Sequence, residues 1–168
     1  FSSSSNATSL IFKTGASEAA AEKVRIKSDG SVGIGTNAPS DNLEITPSAD
    51  EKGLTLKTTA NIRPYINLES NRSSAGNNIA HINFLWNGTE VARIIGVAGS
   101  DTTNKDDAHI TFQTASAGSP AERMRIASDG NVGIGTTSIS NGKLVVSGSN
   151  GTIGGVSGLA TFAKGGTG

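Results

Sequence analysis

The sequence predicts an all-β protein, built from repeated hairpin modules that form an elongated, stacked or intertwined fibre. Three observations predict it. No stretch sustains the 3.6-residue apolar period of an amphipathic helix, while short runs alternating apolar and polar residues are frequent. The segment from Glu22 to Thr36 returns from Glu122 to Thr136, with eleven of fifteen positions identical at an offset of one hundred residues. Repetition of this fidelity builds length or surface, since each unit stacks on its neighbours. Leu, Ile, Val and Phe together make only about a fifth of the chain, near the lower limit for a globular domain.

Taken in order, residues 1–9 read as a polar linker or strand remnant. Residues 10–47 form a first β-repeat module. Its opening strand, Leu10 to Thr14, has a counterpart in Ile110 to Thr114. The connections that follow, 15–21 and 115–121, are turns. Ala19 to Glu22 has helical propensity, but the second copy carries Gly118 and Pro120 there.

The register of the repeated hairpin can be argued. A two-residue Asp29-Gly30 loop would scatter apolar side chains over both faces. A three-residue loop, Ser28-Asp29-Gly30, gathers Val24, Ile26, Val32 and Ile34 on one face. Arg25, Lys27, Ser31, Gly33 and Gly35 then lie on the other. This register requires a left-handed residue closing the loop at Gly30 and again at Gly130, beside Asp29 and Asp129. The second copy places Met124, Ile126, Val132 and Ile134 against Arg125, Ala127, Asn131, Gly133 and Gly135. The paired glycines, Gly33 and Gly35 with Gly133 and Gly135, admit a close backbone, expected from a neighbouring chain.

Turns at 37–42 and 137–142 each lead to a further strand, 43–46 or 143–146. Residues 48–109 form an intervening module. Leu54 to Thr58 and Tyr65 to Glu69 alternate as strands do. Ile79 to Trp86 and Thr89 to Ile95 flank Asn87-Gly88, the strongest short hairpin signal in the chain. A two-residue loop there aligns Ile82, Phe84 and Trp86 with Val91 as one apolar face, expected to be core. Two polar loops, 71–78 and 99–108, border this hairpin. Residues 110–147 form the second repeat module. Residues 148–168 read as a Gly/Ser-rich linker to a further domain, with Val156, Leu159 and Phe162 as sparse apolar points. The chain is expected to be an interior piece of something longer.

Composition narrows the function. Fourteen basic residues balance fourteen acidic ones. Without a polybasic run, nucleic acid and anionic membrane surfaces are poor partners. No apolar run approaches membrane-spanning length, so membrane insertion is not expected. The chain has no cysteine, which excludes disulfide staples and thiolate metal sites. Two separated histidines, His81 and His109, do not make a zinc site. No cofactor or metal is expected.

Catalytic chemistry finds little purchase. Glu69, Glu90, Asp101, Asp106 and Asp107 are the acids to consider for glycan cleavage by paired carboxylates. The last three sit in a polar loop whose spacing matches no calcium loop. Asp-Gly at 29–30 and 129–130 is turn chemistry. No nucleophile elbow supports a Ser-His-Asp triad, and no helix follows Gly33-x-Gly35 to make a dinucleotide fingerprint. The chain is therefore expected not to be an enzyme. Candidate ligand contacts are Trp86 and Tyr65 as aromatic platforms, with Asn77, Asp101 and Asp106 in the loops.

The run from Glu122 through Ser128-Asp129-Gly130-Asn131-Val132-Gly133-Ile134-Gly135-Thr136, continuing to Val146, resembles a repeat of bacteriophage tail-fibre and tailspike proteins. Residues 10–46 match as a diverged first copy, and the hairpin around Asn87-Gly88 resembles one found between such repeats. The resemblance covers most of residues 10–147. It implies an elongated homotrimeric β-fibre in the virion tail, outside the cell. Its shaft would position a host-recognition tip and join other tail or baseplate proteins. Related repeats occur in phage-derived injection systems and in some bacterial surface proteins, and many members end in a self-cleaving chaperone. Sequence physics alone asks for partners of some kind. With a thin apolar supply and no staple, a lone core is too small. The positions expected to bury against other strands or chains are Val24, Ile26, Val32 and Ile34, with Met124, Ile126, Val132 and Ile134. An alternative is a receptor-binding module that touches host glycan or protein through loops 71–78 and 99–108. A glycan depolymerase is a third and distant reading.

Overall fold

The computed structural model describes residues 8–15, 19–139 and 142–148. The start of the N-terminal linker and the Gly/Ser-rich tail from residue 149 lie outside them. The described chain is all-β. Ten strands run in order: β1 (Leu10–Thr14), β2 (Ala21–Ile26), β3 (Val32–Ile34), β4 (Leu43–Ile45), β5 (Asn78–Trp86), β6 (Thr89–Ala98), β7 (Ala108–Thr114), β8 (Ala121–Ile126), β9 (Val132–Ile134) and β10 (Leu144–Val146). No helix of the described residues is long and apolar enough to cross a membrane.

The chain divides into two compact units, Phe1–Ile66 and Asn67–Gly168. The first holds a four-stranded sheet in the order β1-β2-β3-β4. The second holds a six-stranded sheet in the order β10-β9-β8-β7-β6-β5. The division expected at 109–110 is therefore not a structural boundary. β6 pairs with β7 over seven residue pairs, from Ala92↔Thr114 to Ala98↔Ala108, so the intervening hairpin and the second repeat share one sheet.

The repeated hairpins adopt the three-residue register. Val24 faces Ile34 and Ile26 faces Val32. Met124 faces Ile134 and Ile126 faces Val132. Lys27 N–H donates to the Ser31 carbonyl at 2.9 Å, and Gly30 N–H donates to the Lys27 carbonyl at 3.0 Å. Gly30 and Gly130 close the two loops at φ +88° and +80°, a conformation that carries a Cβ penalty in other residues.

Asp29 Oδ1 accepts the Ser31 N–H at 2.9 Å. That bond first, and then Lys27, hold the carboxyl down at about 2. An unfolded aspartate takes its proton near pH 4. The turn's contribution is thus complete above about pH 4 and disappears as pH falls toward 2. Stability of the first unit is expected to decline over that window, and Asp29→Asn should flatten the decline. An NMR titration placing the Asp29 midpoint near 4 would remove the basis for this expectation.

A short parallel strand follows each hairpin. β4 pairs parallel with β3, Val32↔Leu43 through Ile34↔Ile45, and β10 pairs parallel with β9 in the equivalent register. Parallel neighbours usually need a crossover of a dozen or more residues. Here residues 35–42 suffice, because the turn lies directly on the sheet over Gly33. A Cβ at Gly33 would overlap the Thr36 carbonyl oxygen and stand 3.3 Å from Pro39 Cδ. A Cβ at Gly133 would stand 2.6 Å from Ile139 Cγ2. Gly35 and Gly135 abut the backbone carbonyls of Thr46 and Ser147. The close backbone at these four glycines is the chain's own, which corrects the expectation of a neighbouring chain there.

The middle of the chain differs from expectation in two ways. Leu54 to Thr58 and Tyr65 to Glu69 form no strand. Alternation specifies which side of a strand is apolar, but it supplies no neighbour, and these segments form no ladder with any other described residue. The Asn87-Gly88 turn does form, with φ +49° and +80°, and joins Trp86 to Thr89. Val91, however, is an extra residue between Phe84↔Ala92 and Leu85↔Glu90. It is a bulge rather than the partner of Ile82, Phe84 and Trp86.

That bulge reveals a third copy of the outer half of the repeat. Leu10↔Ile26, Ile110↔Ile126 and Ile82↔Ile94 correspond, as do Phe12↔Val24, Phe112↔Met124 and Phe84↔Ala92. After each Phe pair one residue is skipped: Lys23, Arg123 or Val91. The next pairs are Lys13↔Glu22, Gln113↔Glu122 and Leu85↔Glu90. Residues three apart in a regular strand point to opposite faces, and an inserted residue brings them to the same one. Glu22 and Arg25 therefore meet at 2.7 Å, Glu122 and Arg125 at 2.6 Å, and Glu90 and Arg93 at 3.1 Å. A Glu-x-x-Arg-Ile string marks the bulge in all three.

Candidate functional site

Two surfaces of the described chain can do something for a partner. One is the apolar face of each sheet. In the first unit, Phe12, Val24, Ile34 and Ile45 form one row across four strands, and Leu10, Ile26, Val32 and Leu43 form another. In the second unit, Ile82, Ile94, Phe112, Met124, Ile134 and Val146 form a row across all six strands. A parallel row holds Ala80, Gly96, Ile110, Ile126, Val132 and Leu144. Cross-strand neighbours share a face, so each sheet presents a continuous apolar surface.

The described residues do not cover these faces. Leu10, Phe12, Leu43, Ile82, Phe84 and Leu144 are each half or more exposed. The hydrophobic side chains buried among the described residues are Ile95 and Val97, with Thr111 as their polar companion. All three lie on the opposite face. His81, Ile95, Thr111, Arg125 and Gly133 make one row there, and Asn83, Arg93, Gln113 and Glu122 make another. That face is knitted by polar contacts. Arg125 is bidentate on Glu122 at 2.6 and 2.7 Å, Arg93 Nε donates to Gln113 Oε1 at 2.8 Å, and Gln113 Nε2 donates to Thr111 Oγ1 at 3.3 Å. Glu22, under the Arg25 fork, is held below the ordinary carboxylate range. His109 also lies on this side. Burial and then the Arg125 charge press its protonation to lower pH.

The eight expected packing positions thus lie on the exposed apolar faces, while Gly33, Gly35, Gly133 and Gly135 serve the chain's own crossovers. Trp86 is 78% exposed, which corrects its placement in a core. It stands at the tip of the β5–β6 hairpin, where the other two copies carry Thr14 and Thr114. Tyr65 is 75% exposed, within the extended stretch after Pro64.

The second surface lies within the second unit, where the two polar loops meet. Lys105 Nζ donates to Asn71 Oδ1. Between the loops is a cavity of about 200 Å³, lined by Leu68, Ser70, Arg72, Asp101, Lys105 and Asp107 among others. Glu69 also lines it, and the other two carboxylates, Asp101 and Asp107, are already occupied. Asp107 accepts the N–H groups of Ser100 at 2.8 Å and Asp101 at 3.0 Å. Asp101 accepts the N–H groups of Asn104 and Thr103, both at 2.9 Å, and these bonds, Asn104 first, lower its pKa. Such acids shape a loop and are badly placed for proton transfer.

Of the expected loop residues, Asp101 lines the cavity and Asn77 contributes its carbonyl to Ala98 N–H at 2.9 Å. Asp106 is exposed and lies outside the lining. Sequence reasoning passed over Arg72 and Lys105, the cations of this cavity. Among the described residues no group of three or more His, Asp or Glu side chains is gathered as a metal would need. No protein-family model matches the chain, and no curated protein matches it in sequence.

Proposed function

We propose that the chain is a non-catalytic structural module of a fibre of the bacteriophage-tail type, which associates with copies of itself through its apolar sheet faces. The observation that carries this reading is the inversion of each sheet. The hydrogen-bonded polar face encloses the few buried side chains, and the apolar face stands in water. Exposed apolar patches beyond a few hundred Å² mark association surfaces in soluble proteins. Here the surface recurs in both units at equivalent positions, as a shaft repeating its contacts would require. The assembly is a parallel homotrimer located in the virion tail, outside the cell. The trimer number and the phage setting rest on the resemblance of the repeat. The shaft positions a host-recognition tip and joins other tail or baseplate proteins.

The loop cavity favours a second reading, in which loops 71–78 and 99–108 contact host glycan or protein. Lys105 bridging to Asn71 is the observation behind it. Native mass measurement of the chain tests the first reading, with a trimer expected at micromolar concentration and a stable folded monomer overturning it. Binding to a glycan array or to host cells, lost in Lys105→Ala but retained in sheet-face variants, would shift the conclusion to the second.

A further inference from the structure

We propose that the open edge of β5 receives Leu54–Thr58 of a second copy as an added strand. This rests on the self-association proposed above and names where one part of it occurs. The sheet edges are not alike. β4 and β10 are three residues long and β1 carries Lys13, and short or charged edges resist added strands. β5 is nine residues long, pairs only with β6, and holds no Lys, Arg, Asp, Glu, Pro or Gly.

Its own chain reaches this edge only at the start. Ser70 Oγ donates to the Ile79 carbonyl at 2.8 Å, and Arg72 Nε donates to the Asn78 carbonyl at 2.6 Å. From Ala80 to Trp86, no bond among the described residues engages β5 apart from its pairing with β6.

The donor is equally incomplete. Leu54 to Thr58 alternates, forms no strand, and leaves Leu54 67% and Leu56 46% exposed. Tyr65 to Glu69 alternates too. It adjoins Ser70, however, whose contact with the edge is made by a side chain, which holds that backbone off the ladder. Laid along β5, Leu54 and Leu56 extend the apolar face beside Ile82 and Phe84, while Thr55 and Lys57 fall beside His81 and Asn83. Phe84 and Trp86, 50% and 78% exposed, leave on the order of 100 and 200 Å². With Ile82 beside them, and Leu54 and Leu56 on the donor, the strand supplies part of the roughly 800 Å² per partner of a specific interface, and the apolar sheet faces supply the rest. A strand given to the next copy is a heterologous contact, of the kind that builds a closed ring when the rotation between copies closes, as the trimer proposed above requires.

The absence of native cysteine gives a clean test in the full chain. Thr55→Cys and Asn83→Cys chains, with different affinity tags, are co-expressed and treated with a short bis-maleimide. The expected product is a cross-link between the two tags. Cross-links that join only like tags, or none in a protein that still associates, would overturn the strand exchange and leave the proposed function standing. A monomer would overturn both. Thr55→Pro and Leu56→Pro give a second readout, since both residues are exposed and form no ladder among the described residues, and successive N–H groups face opposite edges so that one of the two removes a ladder bond. Loss of a ladder bond in one of the two is expected to weaken association roughly tenfold, and unchanged association in both contradicts the proposal.

Discussion

Phe112→Asp is expected to convert the associated protein into monomers at micromolar concentration. Phe112 lies between Ile94 and Met124, in the middle of the apolar row that crosses all six strands of the second unit. In a lone chain the new carboxylate reaches water. In the assembly it is buried without a partner, at a cost of several kcal/mol. An effect of about 3 kcal/mol corresponds to a dissociation constant raised more than a hundredfold. The neighbouring Gln113→Glu places the same charge on the opposite face, where Arg93 Nε already points at residue 113. It should associate normally. Sedimentation velocity on both variants, with circular dichroism to confirm β-structure, reads the result. Ile82→Asp repeats the test on the same row at a more exposed side chain. If all three variants associate alike, the apolar face is not the interface.

The elements with local causes were legible in the sequence. The three-residue loop followed from sidedness alone, because only that register put Val24, Ile26, Val32 and Ile34 together, and the Asn87-Gly88 turn followed from its dipeptide. What escaped was information carried between distant residues. The crossover over Gly33 depends on Thr36 and Pro39 lying above it, and a Gly-x-Gly rhythm does not tell which backbone comes close. The third hairpin copy was hidden by its connection, two residues long against six in the others, and by Leu85-Trp86 where the others have Lys13-Thr14 and Gln113-Thr114. The Glu-x-x-Arg-Ile string at Glu22, Glu90 and Glu122 was the available signal, since an ion pair at that spacing within a strand requires a bulge. Trp86 was misplaced because apolar alignment along a strand shows which residues share a face, and the described residues leave that face uncovered. The loop cavity was legible as two polar loops. Its cations were not, because Arg72 and Lys105 are brought together only by the fold.

Gly35→Ala is expected to be the most destabilising single-methyl change in the first unit, costing about 3 kcal/mol or more. Two penalties coincide there. Gly35 has φ +77°, a left-handed conformation that costs roughly 1–2 kcal/mol for a residue with a Cβ. The added Cβ would also overlap the Thr46 carbonyl oxygen. The backbone has no freedom to retreat, because Gly35 N–H donates to the Lys23 carbonyl at 3.0 Å while Thr46 N–H donates to the Ile34 carbonyl at 2.8 Å. Relief therefore requires breaking the end of the parallel β3–β4 pair or the bulge that aligns Glu22 with Arg25. Gly30→Ala isolates the first penalty, for Gly30 has φ +88° with nothing within 4 Å of a built Cβ, so it should cost only about 1 kcal/mol. Gly135→Ala, at φ +70° against the Ser147 carbonyl, should repeat the larger loss in the second unit. Chemical denaturation of the three variants decides the matter. Equal losses at Gly30 and Gly35 would mean that β4 does not press on the hairpin, and that the short parallel crossover is not fixed by this glycine.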